Sequence, residues 1–137
     1  MVGVTADSNI YVSALEFGGV PLQFLHAARV GGFQLAISDV FLEELAGVLR
    51  EKFSWEEDRL AEQLLELADF TQRVHPAQTL RVIEADPDDD RVLECALAAG
   101  SQFIVSGDKH LLELGNYGPI QILKVADFLR LMQIPIT

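Results

Sequence analysis

Val2-Gly3-Val4-Thr5-Ala6-Asp7-Ser8-Asn9 decides how the rest of the chain is read. Val2 to Ala6 is a short apolar run and reads as a buried first strand. It stops at Asp7, Ser8 and Asn9, residue types whose side chains cap helix N-termini. A strand that runs straight into a helix cap is the first half of a βα unit, and the same alternation recurs outward from it. Ile10 to Leu15 reads as a short helix closed by Gly18-Gly19, and Leu22 to Val30 as a second, ended by Gly31-Gly32. Phe33 to Ile37 is a second strand, and Ser38 or Asp39 caps a helix running to about Lys52. Trp55 to Phe70 is helical, with Leu60, Leu64, Leu65 and Leu67 as its apolar positions. Thr71 to Val74 and Leu80 to Ile83 read as short strands. Asp86 to Asp90 is an acidic loop that opens a helix through Ala99, closed by Gly100. Gln102 to Val105 and Ile120 to Leu123 are strands, and Val125 to Met132 is the last helix. This alternation predicts an α/β fold with a mostly parallel sheet covered on both faces. In such sheets ligands bind beyond the carboxyl ends of the strands.

Composition bounds the rest. The 137 residues suit one domain spanning 1–137. Half of them are hydrophobic and 23% are charged, which excludes intrinsic disorder. The single cysteine, Cys95, cannot form an internal disulfide, and no stretch approaches the roughly 18 apolar residues of a membrane span. The first apolar segment lacks a basic leader, so a reduced, cytoplasmic setting is expected. Lys and Arg total 10 against 21 Asp and Glu, a net charge of −11. The overall field therefore repels nucleic acid and anionic membranes, and favours basic proteins or cations held between carboxylates.

The acids fall in places that this topology brings together. Asp7 directly follows the first strand, and Asp108 follows the Gln102–Val105 strand after two residues. In the helix after Ser38, Phe41, Leu42, Leu45, Val48 and Leu49 form one apolar arc. Glu43 lies opposite that arc, in water, while Glu44 lies at its edge and leans toward the sheet. Asp86-Pro87-Asp88-Asp89-Asp90 holds four Asp in five residues, which repel one another unless a cation relieves them. A calcium loop fails on position, because Arg91 stands where glycine is required and Leu97 where the closing acid belongs. Four segments thus offer carboxylates to one place. Oxygen donors without His or Cys suit Mg2+ or Mn2+. Two such ions, about 4 Å apart, would activate water and stabilise the leaving oxygen in phosphodiester cleavage.

Four segments in this order resemble the PIN-domain family (PilT N-terminus). They are Val2 to Asn9; Ile37-Ser38 through Glu43-Glu44-Leu45; Asp86 to Asp90 with Val92 to Gly100; and Phe103-Ile104-Val105-Ser106-Gly107-Asp108-Lys109-His110-Leu111-Leu112. The resemblance covers nearly the whole chain. Each motif is weak alone, and the four in order are specific. The subgroup most resembled holds toxin components of toxin–antitoxin systems, related to VapC. The resemblance implies a PIN-like three-layer α/β/α sandwich and a Mg2+- or Mn2+-dependent endoribonuclease that cuts RNA, inhibited by a cognate antitoxin and expected as a homodimer. It implies Asp7, Glu44, Asp89 and Asp108 as the catalytic acids, with Asp7, Asp89 and Asp108 holding the cation. Asp89 fits the helix register best for the third acid, with Asp90 one residue away. Asn9, Ser106, Asp90 and Asp86 take supporting positions. Arg50, Lys52, Arg91, Lys109 and His110 are candidates for a basic rim.

Other readings compete. A phosphatase of the haloacid dehalogenase type requires a second Asp two residues after the first, where this chain has Asn9, and a receiver requires an acid pair that is absent after strand one. A non-catalytic binding module that keeps the fold is the third alternative. Cys95 reads as a small buried hydrophobe, and Ser8 and Ser38 have no base at a recognisable spacing.

Overall fold

The computed structural model describes residues 1–77, 79–83 and 87–137; the side chains of residues 87 and 88 are left aside. The chain forms β1 (Gly3–Ala6), α1 (Ser8–Phe17), α2 (Gly19–Arg29), β2 (Gln34–Ser38), α3 (Asp39–Glu51), α4 (Glu57–Phe70) and β3 (Thr71–Val74). There follow α5 (Pro87–Ala99), β4 (Phe103–Val105), α6 (Lys109–Leu114), β5 (Asn116–Tyr117), β6 (Ile120–Leu123) and α7 (Val125–Leu131). Six strands form one sheet in the order β3-β2-β1-β4-β6-β5. All neighbours are parallel except β5 and β6.

The strand order locates the site. From β1 the chain steps outward to β2 and then β3, and then returns past β1 to β4 and β6. Right-handed crossovers put helices made on the outward and return journeys on opposite faces of the sheet. Accordingly α1 packs on α2 and α3, and α3 on α4, whereas α5 lies across β1 to β4. The result is the three-layer mixed α/β arrangement, with the reversal of travel between β1 and β4. Crevices at such reversals, beyond the strand carboxyl ends, are where ligands bind in α/β sheets.

Burial explains why these segments fold as they do. Val4, Ala6, Leu35, Ile37, Ile104 and Val105 are all buried, as strands covered on both faces require. Phe128 packs edge to face on Phe24, Phe33 and Phe103 where α2 and α7 meet the sheet. On α3 the buried residues are Phe41, Leu45 and Leu49, the apolar arc read from the sequence. Gly18, at φ 78°, takes the left-handed conformation that lets α1 stop and α2 begin in one step. Among the described residues no helix is long and apolar enough to cross a membrane.

The structure corrects several expectations. Leu80–Ile83 is not a strand: its N–H groups are taken by carboxylates of α5 rather than by a neighbouring strand. Trp55 precedes α4, which begins at Glu57. The acidic run is not a loop as far as Asp90, because α5 already begins at Pro87, a residue suited to the first helical position. The short elements α6 and β5 carry too few residues to show a period, and the sequence reading passes over both.

Candidate functional site

Asp7 stands one residue beyond β1 and is itself the N-cap of α1. Its Oδ1 accepts from the Ile10 N–H at 3.1 Å. Its Oδ2 accepts a short hydrogen bond from the Ser106 hydroxyl. The same Ser106 oxygen accepts from the Asp108 N–H at 2.9 Å, so one buried hydroxyl joins the ends of β1 and β4. Asp108 repeats the design of Asp7: it caps α6, accepting from the N–H groups of His110 at 2.8 Å and Leu111 at 3.3 Å. Capping fixes both carboxylates, and capping is also why each acid sits where strand becomes helix. Ser106 thus takes a supporting position between two of the expected acids.

The other two acids come from helices on opposite faces. Glu44 lies in the second turn of α3, half-buried, while Glu43 beside it is exposed. Asp89 is buried in the first turn of α5. Asp90, one residue on, faces a different task. Its Oδ1 accepts from Val82 N at 3.0 Å and Ile83 N at 2.9 Å. One turn later Glu94 accepts from Leu80 N at 2.7 Å and pairs with Arg91 at 2.6 Å, and Arg91 also donates to the Leu80 carbonyl. Asp90, Arg91 and Glu94 therefore bind the 80–83 segment to α5. Of the two acids left open in the sequence, Asp89 lines the acidic cavity and Asp90 holds the 80–83 segment. Asp86 lies outside the described residues.

Asp7, Glu44, Asp89 and Asp108 line one cavity of about 160 Å³, together with Ser8, Asn9, Phe41 and Val92. The four acids come from β1, α3, α5 and β4, and the cavity opens at the β1/β4 reversal. Ser8, Phe41 and Val92 are walls that the sequence reading missed. Two carried a signal, since Phe41 and Val92 each lie three residues from an acid on the same helix, Glu44 and Asp89. Burial pushes the Asp7 carboxyl above the usual carboxylate range. The charge of Asp108 adds to this, and hydrogen bonds from Ser106, Ile10 and Asn9 oppose it.

The donor set is all carboxylate oxygen, which fits a hard divalent cation such as Mg2+ or Mn2+ and not a thiophilic metal. Among the described residues no three Asp, Glu, His or Cys side chains already close on one point as a ligand group. One oxygen each of Asp7 and Asp108 is turned to its own helix, and the second oxygen of Asp7 to Ser106.

Several basic-rim candidates are elsewhere. Arg50 pairs with Glu57 at the far end of α3, Lys52 follows that end, and Arg91 serves the 80–83 segment. Cys95 is fully buried and its thiol is pushed up to about 11, chiefly by burial, so it is no nucleophile. A larger cavity of about 300 Å³ lies between α1, α2 and α4, lined by Leu22, Leu25 and Phe70 and rimmed by Arg29 and Arg59. None of the four acids lines it.

The family model described as PIN domain matches residues 4–110, well over half of the chain. The matched span contains Asp7, Glu44, Asp89 and Asp108. No curated protein matches the chain.

Proposed function

The chain belongs to the PIN-domain family, a nuclease-type fold, and from that premise we propose that it is a Mg2+- or Mn2+-dependent endoribonuclease, the toxin of a prokaryotic toxin–antitoxin pair. The observation that carries this reading is the convergence of Asp7, Glu44, Asp89 and Asp108 on one cavity at the sheet's carboxyl edge.

Asp7, Asp89 and Asp108 would hold the cation, and Glu44 would hold it or orient a water beside it. Bound there, a divalent cation neutralises phosphate charge and makes an attacking water more acidic. Everything else falls to the chain. Glu44, half-buried and reached by solvent, takes a proton from the water as its oxygen bonds to phosphorus. The phosphorus–oxygen bond on the far side breaks, and the leaving oxygen is protonated from solvent. Ser106 and the N–H groups of α1 and α6 keep the carboxylates of Asp7 and Asp108 in place. Phe41 and Val92 limit the water in the cavity.

The net charge of −11 supports a basic antitoxin segment as the inhibitor, since such a segment is attracted to the cavity as free RNA is not. A homodimer and a cytoplasmic setting belong to the same reading. A second reading, a binding module that keeps the fold without turnover, is favoured by one observation: no ligand group is closed in advance among the described residues. One experiment separates them. Purified protein is incubated with a mixed RNA pool and Mg2+ or Mn2+, beside Asp7→Asn and Glu44→Gln. Cation-dependent cleavage that both substitutions reduce supports the ribonuclease. Cation-dependent thermal stabilisation without cleavage supports the binding module. Equal cleavage by all three proteins overturns the site.

A further inference from the structure

We propose that single-stranded RNA crosses the carboxyl edge of the sheet on two cationic flanks, Arg73 on one side of the acidic cavity and Lys124 on the other. The inference rests on the ribonuclease reading and adds the surface that delivers the substrate.

The argument begins with where ten Lys and Arg residues go in an acidic chain. Arg50, Arg91 and Arg130 are held in close ion pairs of 2.5, 2.6 and 3.0 Å with Glu57, Glu94 and Asp127, and Arg81 stands in the 80–83 segment that α5 holds. Arg29 and Arg59 rim the cavity between α1, α2 and α4, and the Arg59 guanidinium lies 3.6 Å from the centre of the Trp55 ring. Lys52 is at the far end of α3, about 18 Å along the helix from the sheet edge. Arg73, Lys109 and Lys124 are different, because each stands at or just past the carboxyl end of a parallel strand, β3, β4 and β6 respectively. His75 and His110 follow the same two strand ends, β3 and β4.

The strand order then sets the sequence of charges along the edge. It runs Arg73 on β3, the cavity acids at β1 and β4, Lys109 and His110 just past β4, and Lys124 on β6. Five strands at about 4.8 Å spacing put the flanks about 19 Å apart, the reach of a few nucleotides. Asp39, just past β2, lies 3.4 Å from Arg73, and both side chains are about half exposed, so the pair is loose and screened and leaves the guanidinium open to a phosphate. Arg73 and Lys124 are both exposed. The overall field repels RNA, so binding has to be local, with cations on both sides of a cavity whose own charge a cation reduces. Among the described residues the exposed large apolar groups include no aromatic at this edge. Arg73 and Lys124 would contact phosphates, which is tolerant of sequence.

The test measures binding of a fluorescein-labelled, mixed-sequence single-stranded RNA by anisotropy across a KCl series, in the Glu44→Gln background to slow cleavage. Three proteins are compared with that parent: Arg73→Gln, Lys124→Gln, and Lys52→Gln as the off-edge control. Each lost phosphate contact lowers the slope of log affinity against log salt by about 0.7. The two flank variants are expected to lose about that much or more and to bind several-fold more weakly, with the control unchanged. Flank variants with the parent's slope, or a parent that binds RNA without salt dependence, overturn the inference. Cleavage by the otherwise wild-type chain is scored separately. If it cuts RNA while the flanks leave the slope unchanged, the ribonuclease reading survives and the flanks fall. If the flanks control the slope and nothing is cut, the flanks survive and catalysis falls.

Discussion

Asp7 caps α1 and lines the acidic cavity at once, and the two roles pull against each other. Its cap stabilises the fold, but burial and the charge of Asp108 make its ionised form costly. The sign of the pH effect follows. Below the unfolded value of 3.8 the carboxyl is protonated in both states and contributes nothing through ionisation. Above it the unfolded chain releases the proton more readily than the folded one, so stability falls as pH rises through the interval between the two values, and the loss then stays constant. Asp7→Asn keeps an oxygen for the Ile10 N–H and removes the charge. Without divalent cations it should therefore raise the urea midpoint at pH 7 and change it little at pH 3. A lower midpoint at pH 7 would show that the hydrogen bonds to Asp7 outweigh its buried charge. The neighbouring pair on α3 supplies a second comparison. Glu44→Gln should reduce cleavage about 10- to 100-fold, while Glu43→Gln, exposed and away from the cavity, should stay within about twofold. This difference was legible in the sequence, because 100° per residue separates an arc-edge position from its opposite.

At the scale of elements, α5 holds the part the sequence could not resolve. Asp89 and Asp90 are identical in type and adjacent, and only the partners separate them. Asp90 takes two N–H groups of the 80–83 segment, and Asp89 faces the cavity. The signal was faint but present: Asp90 and Glu94 lie four apart on one helical face, which marks a shared partner. The same contacts explain why Leu80–Ile83, apolar and β-prone, is not a strand. Local composition favours pairing in a sheet, but tertiary contacts satisfied its N–H groups with carboxylates instead. Asp90→Ala leaves those N–H groups without their acceptor and should cost about 2 kcal/mol. It should also speed amide exchange at Val82 and Ile83 far more than in β1 or β4. Asp90→Asn keeps a carbonyl oxygen and should restore most of the protection. Equal exchange in all three proteins would mean that the segment is held by Glu94 and Arg91 alone. The main strands were legible for the opposite reason. They are buried on both faces, so their apolar runs are continuous, and β1 and β2 end at the capping residues Asp7 and Ser38.

For the whole molecule, the acidic cavity couples cation binding to global stability, and the chain carries its own reporter of that coupling. Its carboxylates repel one another when empty of charge partners, and the unfolded chain has no such cluster. A cation that binds only the folded state therefore lowers the unfolded fraction by the factor 1 + [L]/Kd, about 100-fold at 100 times Kd. Cys95 senses that fraction. It is the only cysteine, it is fully buried in α5, and its thiol is held up to about 11, so a thiol reagent reaches it only after opening. When reclosing outpaces labelling, the labelling rate tracks the open population. Saturating Mn2+ should then slow Cys95 labelling about 100-fold relative to chelator, and Ca2+ or Mg2+ according to their own affinities. Asp7→Asn and Asp108→Asn should each lose most of that slowing, while their labelling without cation stays no faster than the parent's. Lys124→Gln, which alters the proposed RNA flank and not the cavity, should keep it. Labelling that is unchanged by Mn2+ in the parent would separate the fold from the chemistry: the PIN architecture would stand, and the four acids would be a charged hollow that holds no cation.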